Sequence, residues 1–143
     1  MKLKKASIAI CISVGLVIAS ALPAAAAQTH NISASLNCAG ALFESSTYRW
    51  HPSGNISLRL TAHHWWWDVW TLRSGMRNQS GNQITHTMVK NPESRTTSRY
   101  RLSSNNSMTI PRGYYAMNLR VGNTAQTSGC RVWPPSFEGK LTL

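Results

Sequence analysis

Acidic residues are scarce in this sequence: Glu44, Asp68, Glu93 and Glu138 are the only four among 143 residues, against 15 lysines and arginines. A glycoside hydrolase needs two carboxyl groups flanking one bond, so few catalytic pairs are available. The sequence also lacks a G-x-S-x-G motif, a phosphate-binding loop and a dinucleotide fingerprint. These absences favour a protein that is not an enzyme, and they leave a small hydrolase as an alternative.

Metal-binding motifs are absent as well, because neither an H-E-x-x-H nor a C-x-x-C spacing occurs. The candidate ligands that remain are His63, His64, Asp68 and His86. Adjacent histidines such as His63 and His64 point to opposite faces of a strand, so both cannot join one coordination shell without a bulge. We therefore expect neither a metal ion nor a cofactor.

The first 27 residues have the pattern of a secretory signal peptide. Three of the first five residues are lysine, an apolar stretch follows over residues 6–22, and Ala25 and Ala27 supply the A-x-A pattern of a cleavage site. Cleavage after Ala27 removes three basic residues and lowers the formal net charge from +11 to +8. We expect a secreted, extracellular protein of bacterial type with a single domain over residues 28–143; an uncleaved membrane anchor is the alternative.

The cysteines are few, and Cys11 lies within the signal peptide. The cleaved chain keeps Cys38 and Cys130, and an even number in an oxidising compartment predicts one disulfide. The bond would close a loop of about 92 residues, which the chain-entropy model values at about 4–5 kcal/mol.

Amphipathic helical patterns are lacking, and apolar residues instead alternate with polar ones over 30–36, 55–62, 114–121 and 137–143. This period of two is typical of strands with one buried and one wet face. Turn residues separate the runs at intervals that fit seven or eight antiparallel strands. The pattern predicts an all-β fold. We expect a two-layer antiparallel β-sandwich crosslinked by the disulfide, with a small β-barrel as second choice.

The strand over 114–121 and one turn can be predicted in more detail. The alternation places Tyr115, Met117, Leu119 and Val121 on the inner side. The outer side then carries Tyr114, Ala116, Asn118 and Arg120. Ser74 and Gly75 form a dipeptide of the kind found in turns, so we expect the chain to turn there.

The segment Met108–Val121 (MTIPRGYYAMNLRV) resembles a pattern of secreted immunoglobulin-like sandwiches, in which a short strand ends in a Pro/Gly turn and leads into a tyrosine-bearing central strand. The resemblance covers about a tenth of the chain. It implies an immunoglobulin-like fold and says nothing about function.

The most unusual stretch is the tryptophan run over residues 63–72 (HHWWWDVWTL). In a strand, Trp66, Asp68 and Trp70 share one face. Exposed indoles beside a carboxylate and an imidazole such as His63 suit a saccharide, whose apolar faces stack on aromatic rings. Two alternatives remain open: the indoles pack in the interior, or they insert into a membrane interface.

The basic residues are mostly arginine. Arg99 and Arg101 share a face of one segment, and Arg59, Arg120 and Lys140 fall on outward positions of their strands. If those strands are neighbours, one sheet carries a positive stripe, and arginine binds carboxylates and phosphates in a bidentate manner. A solvated surface that only keeps the protein soluble is the alternative.

These features lead to three competing functions. The first is a secreted, non-enzymatic protein that binds anionic or neutral glycans or polymers of a cell envelope. The second is a cationic, membrane-active antibacterial protein that makes peripheral membrane contact. The third is a small secreted hydrolase or an inhibitor. Nucleic acid is not an expected partner, because the chain carries an export signal.

Overall fold

A computed structural model describes residues 26–37, 40–64, 71–122 and 134–143. In these ranges the chain is all-β, with nine strands in two antiparallel sheets and no helix. Accordingly, none of the described segments is a helix long and apolar enough to span a membrane. The strands are β1 (Thr29–Ser35), β2 (Phe43–Glu44), β3 (Arg49–His51), β4 (Ser57–His64), β5 (Thr71–Asn78), β6 (Met88–Lys90), β7 (Ser98–Arg99), β8 (Gly113–Gly122) and β9 (Ser136–Thr142).

The four-stranded sheet has the order β1-β9-β4-β7. Strand β9 pairs with β1 on one side and with β4 on the other. The ladder between β1 and β9 extends by one more pair, because Gln28 and Leu143 exchange backbone hydrogen bonds of 2.7 and 2.9 Å. A bulge in β4 between Leu60 and Ala62 shifts its register with β9.

The five-stranded sheet has the order β2-β8-β5-β6, and β3 also pairs with β8. Strand β8 is the longest, with ten residues. It pairs along one edge with β5, while β2 and β3 pair with successive parts of its other edge. Side chains from three neighbouring strands therefore meet along β8.

Apolar side chains from both sheets form one core. The four-stranded sheet contributes Leu58, Leu60, Phe137 and Leu141, and the five-stranded sheet contributes Leu72, Met76, Met117, Leu119 and Val121. The alternation predicted for the C-terminal strand is confirmed: Phe137 and Leu141 are buried, while Glu138 and Lys140 are exposed. The all-β class predicted from the period of two is confirmed with it.

Two residues of β8 depart from the predicted pattern. The alternation puts Ala116 and Asn118 on the wet face, yet they are only 1% and 6% exposed. Arg77 lies opposite Ala116, and Gly75 lies opposite Asn118. The Gln83 side chain fills the space beside Gly75, where a Cβ atom would lie 2.5 Å from it. Long polar side chains of neighbouring segments thus cover the middle of this face, which one strand's own pattern cannot reveal.

The turn predicted at Ser74 and Gly75 is wrong, because both residues are buried inside β5. The glycine allows the close approach of the Gln83 side chain, and the chain does not turn there. The chain turns after Asn78, whose Oδ1 accepts hydrogen bonds from the backbone nitrogens of Ser80 (3.1 Å) and Asn82 (3.0 Å).

Lys90, at the end of β6, holds the chain where it crosses between the sheets. Its Nζ donates to the Thr96 carbonyl at 2.5 Å and to Ser98 Oγ at 2.9 Å, and Ser98 begins β7 of the other sheet. The side chain is buried, and the loss of hydration lowers the pKa of Lys90.

Candidate functional site

An exposed aromatic pair lies at one end of β8. Trp50 of β3 and Tyr114 of β8 are directly opposite in register. Their ring centroids are 5.2 Å apart and their planes are inclined by 59°. Trp50 is 44% exposed and Tyr114 is 46% exposed. Aromatic side chains of this size usually bury more of their surface, so the pair offers an apolar platform to a partner.

The residues on the other side of the same strands anchor the pair. His51 and Tyr115, next to Trp50 and Tyr114 in the chain, are buried with ring centroids 6.0 Å apart. Tyr115 Oη donates to the Pro111 carbonyl at 2.9 Å. Burial lowers the pKa of His51 and raises the pKa of Tyr115, because each charged form would lose hydration. The strand alternation therefore turns one aromatic pair inward and the other outward.

Arg77 connects this platform to the middle of the sheet. Its guanidinium carbon lies 5.3 Å from the centre of the Tyr48 ring, and its Nη2 donates to the Ser45 carbonyl at 2.8 Å. Its Nη1 lies 3.8 Å from the half-exposed Glu44 carboxylate, which is a weak ion pair at that distance. These contacts tie β5 to the edge formed by β2 and β3.

Two arginines meet at the other end of the same face. Arg73 of β5 and Arg120 of β8 are directly opposite in register. They line a depression of about 210 Å³ together with Asn118, Gln83 and Leu42. Neither arginine has an acidic partner among the described residues. This end of the face is therefore positively charged and concave.

Five residues of the predicted sites lie outside the described residues: Trp66, Asp68 and Trp70 of the tryptophan run, and the two cysteines, Cys38 and Cys130. Strand β5 begins at Thr71, directly after Trp70 in the chain.

His63 and Arg59 are joined through Arg95 at the edge of β4. Arg59 Nε donates to the Arg95 carbonyl at 3.1 Å. Arg95 Nη2 lies 3.2 Å from His63 Nδ1, which accepts a hydrogen bond as the neutral ring. The β4 bulge places His63 opposite Phe137, and thus on the core side of the register.

The predicted basic stripe is split between the two sheets. Arg59 and Lys140 lie directly opposite on β4 and β9. Arg99 of β7 pairs with Ser57 and therefore shares their outer face. Arg120 belongs to β8 in the other sheet, so the stripe that would join it to Arg59 and Lys140 does not form.

Arg101 lies beyond β7, where the chain has left the four-stranded sheet. Its Nη1 donates to the Asn106 carbonyl at 3.3 Å, and its own carbonyl accepts from the His86 nitrogen at 2.9 Å. Arg101 is therefore held by local loop contacts and does not extend the ladder that carries Arg99.

The carboxylates and histidines do not converge in the described ranges. Glu44 lies in β2 of one sheet, Glu138 in β9 of the other, and Glu93 in the segment between β6 and β7. No group of three His, Cys, Asp or Glu side chains that could hold a metal ion occurs in this part of the chain.

The sequence reasoning missed Trp50 and Arg73. The signal for Trp50 was its position between Arg49 and His51, where alternation turns it away from its buried neighbour. Arg73 follows the tryptophan run by three residues, and the expected turn at Ser74 hid its place in a strand. Trp50 pairs with Tyr114, and Arg73 pairs with Arg120. Both pairs depend on the register of β3 and β5 with β8, which the sequence alone does not determine.

No protein-family model, curated protein or solved structure matches this chain.

Proposed function

We propose that this chain is a secreted, non-enzymatic binding protein that holds a glycan or a similar polymer of a cell envelope on the outer face of its five-stranded sheet. The observation that carries the proposal is the exposed Trp50–Tyr114 pair on the same face of β8 as Arg120. The aromatic rings would stack on the apolar faces of sugar residues, and the arginines would attract acidic groups.

The length of this face favours a polymer over a single sugar. Tyr114 and Arg120 are six residues apart on one strand, which corresponds to about 20 Å. A ligand that contacts both ends must therefore be a chain. Peripheral contact with a membrane uses the same residue types and is the competing outcome of the test.

Two contacts fit the proposed single domain over residues 28–143. Cleavage after Ala27 would leave Gln28 as the first residue, and Gln28 is also the first to pair with the C-terminal strand, through Leu143. The mature chain over residues 28–143 would keep every strand of both sheets.

An immunoglobulin-like sandwich with a Cys38–Cys130 disulfide is part of the proposal. The shared core supports two packed layers. The Leu36 nitrogen donates to the Pro135 carbonyl at 2.7 Å, so the chain is held together two residues before Cys38 and five residues after Cys130. Connections of two and five residues are long enough for the two thiols to meet, which supports the proposed pairing.

The proposal retains the sequence-based binding residues. Trp66, Asp68 and Trp70 directly precede β5, whose first residue pairs with Gly122, and would add aromatic groups at the arginine end of the face, with His63 near the end of β4. Arg59, Arg99 and Arg101 would supply general attraction to an anionic envelope, because they are exposed.

The test measures binding of the mature protein to immobilised cell-envelope polysaccharide and to a glycan array. We expect Trp50→Ala and Tyr114→Ala each to weaken binding about tenfold or more, since each removes a stacking ring. Met108→Ala is the matched control, because Met108 is an exposed apolar residue that is not part of this pair. Urea unfolding should be nearly unchanged in all three variants.

Two results would contradict the proposal. One is wild-type binding by the Trp50 and Tyr114 variants. The other is release of dye from vesicles of anionic phospholipid at micromolar protein, lost in the same variants, without glycan binding. That second result would establish the membrane-active alternative.

A further inference from the structure

The two arginines that face each other on β5 and β8 form an unusual pair. Like charges directly opposite in an antiparallel ladder destabilise it, and Arg73 and Arg120 occupy such positions. Neither is neutralised by an acidic side chain in the described ranges. The pair therefore forms no ion pair within the part of the chain that the structure describes; Glu44, opposite Asn118 on β2, pairs with Arg77 instead.

Two residues that line the depression each carry a polar atom that has lost water without gaining a partner. Arg73 Nε and Asn118 Oδ1 are buried and form no hydrogen bond. Asn118 as a whole is only 6% exposed. A buried polar group without a partner costs free energy. Arg73 Nε lies toward Gly122, on the other side of Arg120 from Asn118, so a ligand with an acceptor and a separate donor group would supply both partners.

The size of the depression limits which chemical group can enter it. The depression measures about 210 Å³, which is below the volume of sites that enclose a drug-sized molecule. Leu42 and Val89, each more than half exposed, flank the arginines on either side. The site can thus receive one acidic group and the apolar part of the residue that carries it.

We propose that Arg73, Arg120 and Asn118 form an oxyanion subsite for the carboxylate of an acidic sugar residue within a glycan chain. The guanidinium groups donate to the carboxylate oxygens, and Asn118 Oδ1 accepts from a neighbouring sugar hydroxyl. A fully ionised phosphate lacks that hydroxyl donor, so an acidic sugar satisfies both unpaired atoms. The inference rests on the proposed function, since it names the class of glycan that this face selects.

The experiment compares the free-acid form and the esterified form of one oligosaccharide. Binding of the mature protein to oligogalacturonate is measured by calorimetry and compared with binding of its uncharged methyl ester, with linear polyphosphate as a phosphate polymer that carries no sugar hydroxyl. We expect the free acid to bind more tightly than both. Arg73→Gln and Arg120→Gln should each weaken binding of the free acid about ten- to a hundredfold and leave binding of the ester unchanged.

Arg112→Gln is the control, because it removes the same charge from the exposed turn before β8. It should weaken binding of the acid less than threefold. Equal losses in all three arginine variants would show that net charge alone attracts the ligand, and would overturn the subsite. Equal binding of acid and ester by the wild type would overturn it as well.

A second readout separates this inference from the proposed function. Nitrogen-15 NMR follows the Nε–H signals of Arg73 and Arg120 while sodium galacturonate, galactose or inorganic phosphate is added. Shifts with galacturonate that exceed those with the other two support the subsite, even if no polymer binds. Polymer binding that depends on Trp50 and Tyr114, without such shifts, leaves the proposed function standing and refutes the subsite.

Discussion

Ser74 Oγ and Tyr100 Oη lie 2.9 Å apart, in a hydrogen bond that joins the two sheets through the core. Ser74 belongs to β5, whereas Tyr100 follows β7 and donates its backbone nitrogen to the Ile56 carbonyl beside β4. Both side chains are buried, and burial raises the pKa of Tyr100, so its hydroxyl stays protonated. This polar contact within apolar surroundings fixes the position of one sheet relative to the other.

Replacing Tyr100 by phenylalanine should lower the free energy of unfolding by about 1–3 kcal/mol, because Ser74 Oγ is left buried and unpaired. Ser74→Ala in the same background removes that unpaired group. The double variant should therefore lose less than the sum of the two single losses, in urea unfolding at neutral pH. Strictly additive losses would show that the two hydroxyls do not depend on each other.

The burial of a strand residue could be predicted from the sequence where it depends only on the alternation within that strand. Phe137 and Leu141 are buried because the period of two holds whichever strand lies beside β9. Asn118 is buried because Gly75 lies opposite and Gln83 covers that place, and those facts belong to the register and not to β8 itself. Pairing between distant segments sets that register, so local sequence reasoning does not reach it.

In the candidate site, too, some positions follow from one strand's own pattern and others depend on the pairing between strands. Tyr114 and Arg120 were placed correctly on the outer face of their strand, since alternation is local. Their partners Trp50 and Arg73 come from strands β3 and β5, far from β8 in the sequence. Cross-strand pairs therefore carry information about the site that composition and spacing do not contain.

Acidification should destabilise the protein through His51. Burial lowers the pKa of His51 below its usual 6.5, so between the two values the unfolded chain binds more protons than the folded chain. The contribution of His51 to stability is therefore present above pH 6.5 and decreases as the pH falls through that window. We expect a lower urea midpoint at pH 5 than at pH 7.5.

His51→Gln tests the origin of this pH dependence. The glutamine amide does not titrate, and it can still donate toward the Ile110 carbonyl, which lies 3.2 Å from His51 Nε2. The variant should show a smaller difference in urea midpoint between pH 7.5 and pH 5. The same difference in variant and wild type would assign the effect to other groups.

Adding one methyl group at Gly139 should disrupt the four-stranded sheet. A Cβ there would lie 2.8 Å from the backbone carbonyl oxygen of Arg59, and backbone atoms cannot move aside as a flexible side chain can. Gly139→Ala should lower the free energy of unfolding by about 1–3 kcal/mol, measured in urea. The neighbouring Lys140→Ala, at an exposed position, should change it by about 0.5 kcal/mol or less. Similar values for both variants would contradict the close packing of β9 against β4.

The last prediction concerns the proposed disulfide between Cys38 and Cys130. Mass spectrometry without reductant should find the secreted chain two hydrogens lighter than its sequence mass from Gln28 to Leu143, and alkylation should label no cysteine before reduction. Cys38→Ser/Cys130→Ser should lower the free energy of unfolding by about 2–5 kcal/mol, because the unfolded chain loses a crosslink that restricts it. Either substitution alone removes the crosslink, so the single variants Cys38→Ser and Cys130→Ser should each lose about as much as the double variant. Two labelled thiols in the unreduced protein, or single variants as stable as wild type, would show that the two cysteines do not pair.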